Sequence, residues 1–156
     1  MKFEKIGFIG LGLIGGSLTK KIKELKPATQ IYATAGHAST ITLAHDMGLC
    51  QNKAPLEMSD FKDCDLIFLC APVHKNVEYL AQLKDIIKSD CIITDVGSTK
   101  TEIHEKVIEL GLEDNFIGGH PMTGSEKPVC NTLLSVCLKI PTILSHPQAE
   151  PLMRLF

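Results

Sequence analysis

The chain has 156 residues, with 16 lysines and arginines against 18 aspartates and glutamates, which suits one globular domain and argues against a broad basic surface for nucleic acid. Lys, Asp or Pro interrupts each apolar run before it reaches the length that spans a membrane. The first residues lack the apolar stretch of a signal peptide, and six cysteines without a leader fit a reducing compartment, so we expect a soluble, cytoplasmic protein.

The first half of the chain alternates short apolar runs with segments of helical period. The apolar runs predict strands over 5–10 and 30–34. Apolar residues spaced three or four positions apart predict a helix over 14–25, which stops before a proline. A second helix is predicted over 39–47, with Ser39 as its N-terminal cap.

The second half continues the same alternation. Apolar runs predict strands over 65–70, 91–95 and 116–118, and the helical period predicts helices over 76–87 and 100–110. Strands that are apolar throughout and are separated by helices indicate a parallel sheet covered on both faces. We therefore predict an α/β fold with a doubly wound parallel sheet.

A glycine-rich loop of the form G-x-G-x-x-G lies between the first strand and the first helix. Gly10 permits a tight turn, Gly12 lets the backbone approach a pyrophosphate, and Gly15 lets the helix pack closely on the strand. The N–H groups of the helix N-terminus then face the phosphates. The alternative is a glycine-rich turn without a ligand. We predict a Rossmann-type dinucleotide-binding loop made of Gly10, Gly12, Leu13, Ile14 and Gly15.

The end of the second strand leaves the choice of dinucleotide open. An acidic residue about 20 positions after the glycine loop would bind the ribose hydroxyls of NAD, but this segment contains neither Asp nor Glu. Thr34, His37 and Ser39 could surround the 2′-phosphate of NADP, or Thr34 could contact a neutral ribose. The predicted cofactor is therefore NAD or NADP.

Ligands of an open parallel sheet bind beyond the carboxyl ends of its strands. Five segments follow the predicted strands directly: 10–15, Thr34, 71–74, 95–98 and 119–121. Ala71 and Pro72 are therefore candidate cofactor contacts, together with Thr34.

His120 and Ser98 are the candidate catalytic residues at this edge. His120 follows a strand end and two glycines, where it could accept a proton or a hydrogen bond from a hydroxyl undergoing oxidation. The alternative is a turn histidine bonded to the backbone. Ser98 could orient the same hydroxyl or the nicotinamide, and it could also cap the following helix.

The other histidines and the cysteines give no metal signal. His45 and His104 fall on predicted helices and are expected in solvent, and His74 is expected either there or at the cofactor's edge. The cysteines near predicted strands are expected to be core thiols: Cys64, Cys70 and Cys91. Because no C-x-x-C or paired His–Cys spacing suggests zinc, we expect no metal site.

Three segments of the chain resemble the signature blocks of prephenate dehydrogenases: 10–18, 95–100 and 116–127. They stand in the family's order and spacing, and the third block is the most specific. The resemblance implies NAD(P)-dependent oxidative decarboxylation of prephenate, or of arogenate, in tyrosine biosynthesis. It also implies that residues 1–127 are the cofactor domain.

The resemblance also implies roles for individual residues. His120 accepts the hydrogen bond from the ring hydroxyl, Ser98 supports this contact, and Glu126 helps to control access to the site. In the family, a helical domain follows the cofactor domain, forms a homodimer and supplies an arginine for the substrate carboxylate.

The chain departs from the family's pattern after Lys127. We interpret residues 128–156 as an atypical tail, out of frame, because loss of one nucleotide after the Lys127 codon accounts for its sequence. Read in the other frame, residues 136–147 permit Leu-Phe-Glu-Asn-Thr-Tyr-Tyr-Ile-Leu-Thr followed by Pro or Ser, which resembles a segment typical of the family. The nucleotide sequence of the gene tests this interpretation.

Two other functions compete with a prephenate dehydrogenase. One is an inactive truncated product that binds a dinucleotide, and the other is an unrelated small reductase with the same fold. Because the helical dimerisation domain and its arginine are expected to be missing, we expect little turnover of prephenate by this chain alone.

Overall fold

A computed structural model describes residues 3–119 of the chain. Its elements follow in this order: β1 Lys5–Ile9, α1 Leu13–Leu25, β2 Gln30–Thr34, α2 Ala38–Asp46, a 3-10 helix Met58–Phe61, β3 Leu66–Leu69, α3 Val73–Leu83, β4 Ile92–Asp95, α4 Thr101–Leu110 and β5 Phe116–Ile117. His120, Glu126 and the predicted tail 128–156 lie outside the described residues.

The five strands form one parallel sheet in the order β2-β1-β3-β4-β5. Ile6 of β1 lies opposite Ile31 on one side and Leu66 on the other, so the carboxyl ends of the strands share one edge. The chain passes from β1 to β2 on one side and then returns to β3 on the other, which places the topological switch point between β1 and β3. The predicted doubly wound parallel sheet is confirmed.

Helices α1 and α2 cover one face of the sheet. Leu18 of α1 and Ile41 of α2 are buried against strand residues of this face. There the Phe8 and Phe68 rings stack with their centroids 4.7 Å apart. Side chains alternate along β1 and β3, so these apolar side chains point to one face and their apolar neighbours point to the other. Both faces of the sheet are therefore apolar.

Helices α3 and α4 and the 3-10 helix cover the opposite face. Leu80 of α3 and Ile103 of α4 are buried here with Ile67 of β3. Phe61 of the 3-10 helix is fully buried and lies directly over Gly7, where a Cβ would approach its ring to 2.6 Å. This contact places the 3-10 helix, which the sequence analysis does not predict, against the middle of β1.

Two of the three predicted core cysteines are fully enclosed. Cys64 and Cys91 are buried on the α3 and α4 face, and burial raises the pKa of each thiol to about 12. Cys70, at the end of β3, is partly buried and packs against the core of the opposite face. These thiols are therefore protonated packing groups at neutral pH.

The predicted cap of α2 is wrong. The helix begins at Ala38 and its cap residue is His37, whose side chain makes no capping hydrogen bond, while Ser39 lies within the first turn. His37 keeps an extended backbone (φ −125°, ψ 127°), and alanine accepts helical geometry more readily than serine. The helix therefore starts one residue before the predicted position.

Helix α3 is displaced from its predicted position. It begins at Val73 and ends at Leu83, whereas the apolar period predicts 76–87. Pro72 stands before the first turn with φ −55°, which suits the start of a helix because that position needs no N–H donor. After the helix, the Leu83 carbonyl accepts from the N–H groups of Ile86 and Ile87. Ile87, the last apolar residue of the predicted helix, therefore lies in the turn that follows α3.

No helix within residues 3–119 is long and apolar enough to cross a membrane. In the same part of the chain, no cluster of three His, Cys, Asp or Glu side chains is arranged to hold a metal ion. The cytoplasmic location and the lack of nucleic-acid and metal partners stay predictions.

Candidate functional site

The carboxyl edge of the sheet opens at the switch point between β1 and β3. The glycine loop follows β1, and residues 71–72 follow β3 on the other side of this point. The Cys70 N–H donates to the Ile9 carbonyl at 2.8 Å, which joins the two strand ends beneath the opening. In doubly wound folds this position is where a ligand meets the loops of both halves.

Gly10 turns the chain at the end of β1. Its φ of +102° is a conformation that side chains rarely adopt. A Cβ built on it would lie 2.8 Å from the backbone of Cys70. Its N–H donates to the Thr34 carbonyl at 2.9 Å, so the loop is held against the end of β2 as well. Conformation and space both restrict this position to glycine.

Gly15 brings α1 close to the loop. A Cβ on this residue would lie 2.3 Å from the Gly10 carbonyl oxygen and 3.3 Å from the Cys70 Cβ. One turn later, the buried Thr19 hydroxyl donates to the Gly15 carbonyl at 2.7 Å. The close packing of helix and loop that the spacing predicts is therefore the geometry observed.

Gly12 precedes α1 and faces open space. Apart from its two chain neighbours, no described residue has an atom within 4 Å of a Cβ built on it, and Leu13 beside it is 77% exposed. Within the same residues, no side chain caps the helix and the first turn contains no acid. The first N–H groups of α1 therefore offer donors and the positive end of the helix dipole, with room for a phosphate. Ile14, in the first turn, is half-buried against the core.

The end of β2 adjoins this loop without supplying a negative charge. Thr34 is half-buried, and the segment 35–40 that follows it contains no acid. His37 and Ser39 are both exposed at the start of α2. The carboxylate that binds the ribose of NAD in many such folds is therefore absent from this segment.

The end of β3 forms the other side of the opening. Ala71 is half-buried, and its carbonyl accepts from the buried Asn76 side chain at 2.9 Å. Pro72 is exposed and precedes α3. His74, in the first turn of α3, is exposed. The two predicted cofactor contacts thus lie across the switch point from the glycine loop.

Asp95 lies in one of the predicted strand-end segments, 95–98, but no role was predicted for its side chain. Its side chain is fully buried at the end of β4, and its Oδ2 accepts from the Lys100 ammonium at 2.5 Å and from the Gly97 N–H at 2.9 Å. Its Oδ1 accepts from the Gly119 N–H at 3.3 Å. The spacing Asp-x-Gly, typical of a side chain that bonds to the backbone two residues later, was the available signal.

Ser98 lies exposed in the loop between β4 and α4. The cap residue of α4 is Lys100, and no side-chain hydrogen bond caps this helix among the described residues, so the capping alternative for Ser98 is wrong. The described chain ends at Gly119, which precedes His120 directly. The Asp95 carboxylate thus joins the two loops that lead to the predicted catalytic pair.

Comparison with known proteins gives a family match and close relatives. A family model described as prephenate dehydrogenase, nucleotide-binding domain, matches residues 18–138. The chain is 38% identical over 127 residues to a prephenate dehydrogenase of Lactococcus lactis subsp. cremoris, and the match covers 80% of this chain and 35% of that relative.

Solved structures show the same similarity. A prephenate dehydrogenase from A. aeolicus, in complex with hydroxyphenyl propionate and NAD+, superimposes with a TM-score of 0.71 at 28% identity, covering 81% of this chain and 44% of that one. A Synechocystis arogenate dehydrogenase gives a TM-score of 0.68 at 33% identity, with coverages of 79% and 42%. The chain therefore spans less than half the length of each of these relatives.

Proposed function

Because the chain belongs to the prephenate dehydrogenase family, as its nucleotide-binding domain, we propose that it binds NAD or NADP at the carboxyl edge of its sheet. We propose further that the whole enzyme carries out the oxidative decarboxylation of prephenate to 4-hydroxyphenylpyruvate. Because the relatives described above are dehydrogenases, this domain is proposed to be part of an oxidoreductase.

The open, uncapped N-terminus of α1 at Gly12 is the observation that supports dinucleotide binding most directly. A pyrophosphate needs N–H donors and backbone free of side chains, and both are present there. Thr34, Ala71 and Pro72 stand at the neighbouring strand ends, in reach of the rest of an extended cofactor. The described residues thus fit the group chemically.

The proposed reaction distributes its parts among residues of this edge. When bound, the nicotinamide supplies the acceptor for a hydride. His120 takes the proton of the ring hydroxyl as the hydride leaves the ring carbon that bears this hydroxyl. Ser98 orients the hydroxyl. Glu126 controls access.

The electrons balance between the substrate and the dinucleotide. The hydride carries two electrons from the ring to the bound cofactor, and His120 returns its proton to the oxygen of the phenol product. The bond between the ring and its carboxylate breaks, carbon dioxide leaves, and the electron pair of that bond completes the aromatic ring. The chain's residues therefore have to hold one proton and orient one hydroxyl, and aromatisation supplies the driving force.

Dinucleotide binding is tested with two glycine variants of the same helix start. Gly12→Ala adds a methyl group at the residue before α1, in the proposed phosphate space, while Gly16→Ala adds one at the fourth residue of the helix; both positions have open space around the new methyl group. We expect the first to weaken NAD+ or NADP+ binding at least about tenfold, roughly 1.4 kcal/mol, and the second to bind like the parent. Calorimetric titration of each cofactor measures both and decides the preference.

If Gly12→Ala binds NAD+ and NADP+ as tightly as the parent does, the proposed site is refuted. The unfolding midpoint of each variant provides the control, because Gly12 has a backbone (φ −74°, ψ −160°) that alanine accepts. A loss of binding without a loss of stability is the expected pattern.

Arogenate is the second candidate substrate, favoured by the 33% identity to a Synechocystis arogenate dehydrogenase. Turnover of prephenate and arogenate, each with NAD+ and NADP+, separates the two. We propose that the 156-residue polypeptide alone turns over either substrate slowly, because the resemblance assigns the carboxylate-binding arginine and the homodimer contacts to a helical domain that follows residues 1–127. Rapid turnover by this polypeptide would contradict that assignment and the competing proposal of an inactive dinucleotide-binding product.

A further inference from the structure

A buried carboxylate joins the two loops that carry the proposed catalytic residues. Asp95 is 1% exposed, yet both of its oxygens have donors. One oxygen binds the loop after β4 through the Gly97 N–H, and the other binds the end of β5 through the Gly119 N–H. A buried carboxylate is stable only when its charge and its lone pairs are satisfied in this way.

The neighbouring packing leaves little space for a side chain at the glycines of these loops. A Cβ on Gly119 would lie 2.5 Å from the Asp95 carbonyl oxygen, and one on Gly97 would lie 3.0 Å from the Asp95 carboxylate. The Lys100 side chain passes within 4.0 Å of a Cβ built on Gly118. Each bond of the carboxylate therefore fixes a backbone segment that already has close contacts.

The two glycines bonded to Asp95 directly precede the two proposed catalytic residues. Gly97 immediately precedes Ser98, and Gly119 immediately precedes His120. These two segments are 22 residues apart in sequence, and the Asp95 side chain is bonded to both.

We propose that Asp95, paired with Lys100, is a positioning residue that fixes the loop of Ser98 relative to the segment leading into His120. This inference rests on the proposed function, because it is the proposed reaction that needs these two side chains in register. Asp95 itself does not touch the substrate in this proposal; it acts through the backbone of Gly97 and Gly119.

A second ion pair of the same composition provides a matched control. Asp65, at the amino end of β3, accepts from the Glu4 and Lys5 N–H groups at 2.8 and 2.9 Å and from the Lys88 ammonium at 2.5 Å. It too is a carboxylate with two backbone donors and one lysine. It lies at the opposite edge of the sheet, so Asp65→Asn removes similar bonds without touching the site.

The first experiment follows His120 by NMR in the full chain without cofactor, with His120→Gln to identify the signal. Asp95→Asn removes a negative charge and leaves Lys100 uncompensated, so we expect the His120 titration midpoint to fall by about half a pH unit. Lys100→Met leaves the carboxylate bonds to the glycines but removes the positive charge, so the midpoint should rise. Asp65→Asn should leave it unchanged.

The second experiment measures turnover with saturating cofactor by the whole enzyme, which includes the helical domain that the proposed function requires. Because misplacement of a catalytic group by about 1 Å can cost roughly a hundredfold in rate, we expect Asp95→Asn to lower kcat at least about tenfold. The KM for the dinucleotide should change less than about threefold, and Lys100→Met should lower kcat less than Asp95→Asn does. Asp65→Asn should keep kcat within about twofold of the parent.

The outcomes separate the two proposals. Equal effects of Asp95→Asn and Asp65→Asn on the His120 titration, or no effect of either, overturn the positioning role whatever the turnover. If the parent binds no dinucleotide, the proposed function fails, while the titration still decides whether Asp95 and Lys100 act on the segment of His120. If Asp95→Asn does not fold, Lys100→Met, which removes the charge paired with the Asp95 carboxylate, takes its place in the turnover experiment, and a kcat equal to that of the parent overturns the inference.

Discussion

The two edges of the sheet carry closely similar ion pairs with different surroundings. At the amino edge, Asp65 bonds to the Glu4 and Lys5 N–H groups at the start of β1 and to Lys88, and its side chain is 21% exposed. At the carboxyl edge, Asp95 bonds to two glycine N–H groups and to Lys100, and its side chain is fully buried. The chemistry of the bonds is the same, but the segments they hold are not.

The difference lies in what each carboxylate fixes. Asp65 holds the ends of regular strands, where sheet hydrogen bonds already define the backbone. Asp95 holds Gly97 and Gly119, which lie beyond the ends of β4 and β5. An ion pair at the amino edge therefore contributes to stability alone, whereas the same pair at the carboxyl edge also determines the geometry of the site.

Gly15→Ala gives the largest expected effect and tests how tightly the carboxyl edge is packed. The new methyl group would lie 2.3 Å from the Gly10 carbonyl oxygen, so α1 has to move away from the loop. We expect a loss of about 3 kcal/mol in the free energy of unfolding, measured by chemical denaturation. A variant as stable as the parent would show that this edge is adaptable and would weaken the contrast between the edges.

Asp65→Asn gives an intermediate effect and tests the amino edge. Burial raises the pKa of Asp65, but the Lys5 N–H, the Lys88 ammonium and the Glu4 N–H outweigh it and lower that pKa overall. A lowered pKa stabilises the fold above the unfolded-state value and loses this contribution as the pH falls through the folded-state value. We expect the variant to be less stable by about 2 kcal/mol at pH 7, with the difference shrinking below about pH 4.

Denaturation of both proteins between pH 2 and pH 7 measures this difference. Cofactor affinity at pH 7 is the accompanying measurement, and it should match that of the parent. A fall in affinity comparable to that of Gly12→Ala would mean that the amino edge also shapes the site, which the comparison excludes.

Gly16→Ala gives the smallest expected effect. Apart from its chain neighbours and the backbone of α1 itself, no described residue has an atom within 4 Å of the added Cβ, and alanine favours a helix over glycine. We expect a gain of up to about 1 kcal/mol in the free energy of unfolding, with unchanged cofactor affinity. A loss of stability would show that the first turn of α1 is more crowded than its geometry indicates.

The regular part of the fold could be predicted because each signal is local. Apolar runs gave all five strands, and the glycine spacing gave the loop, since Gly10 and Gly15 meet requirements of conformation and space within a few residues. The start of α3 could not be predicted from apolar period, because Pro72 sets it by its fixed φ. The 3-10 helix is too short to show any period.

The geometry of this edge could be predicted only where a motif is contiguous, as in the glycine loop. The role proposed for Asp95 depends instead on an N–H 24 residues later in the chain. Which backbone N–H points at a carboxylate is decided by how β5 lies beside β4. No pattern of residue types contains that information, although the Asp-x-Gly spacing marks half of the network.

The contact between Gly7 and Phe61 couples two positions that are far apart in sequence. Gly7 lies in β1, and the nearest atoms to a Cβ built on it are those of the fully buried Phe61 ring, at 2.6 Å, and the Cys64 sulfur, at 3.3 Å. The cost of enlarging Gly7 therefore depends on the size of residue 61, so the two substitutions are non-additive. In the parent background, a smaller side chain at position 61 would leave a cavity and lower the stability of the fold. In a Gly7→Ala background, the same substitution would relieve a clash and raise it.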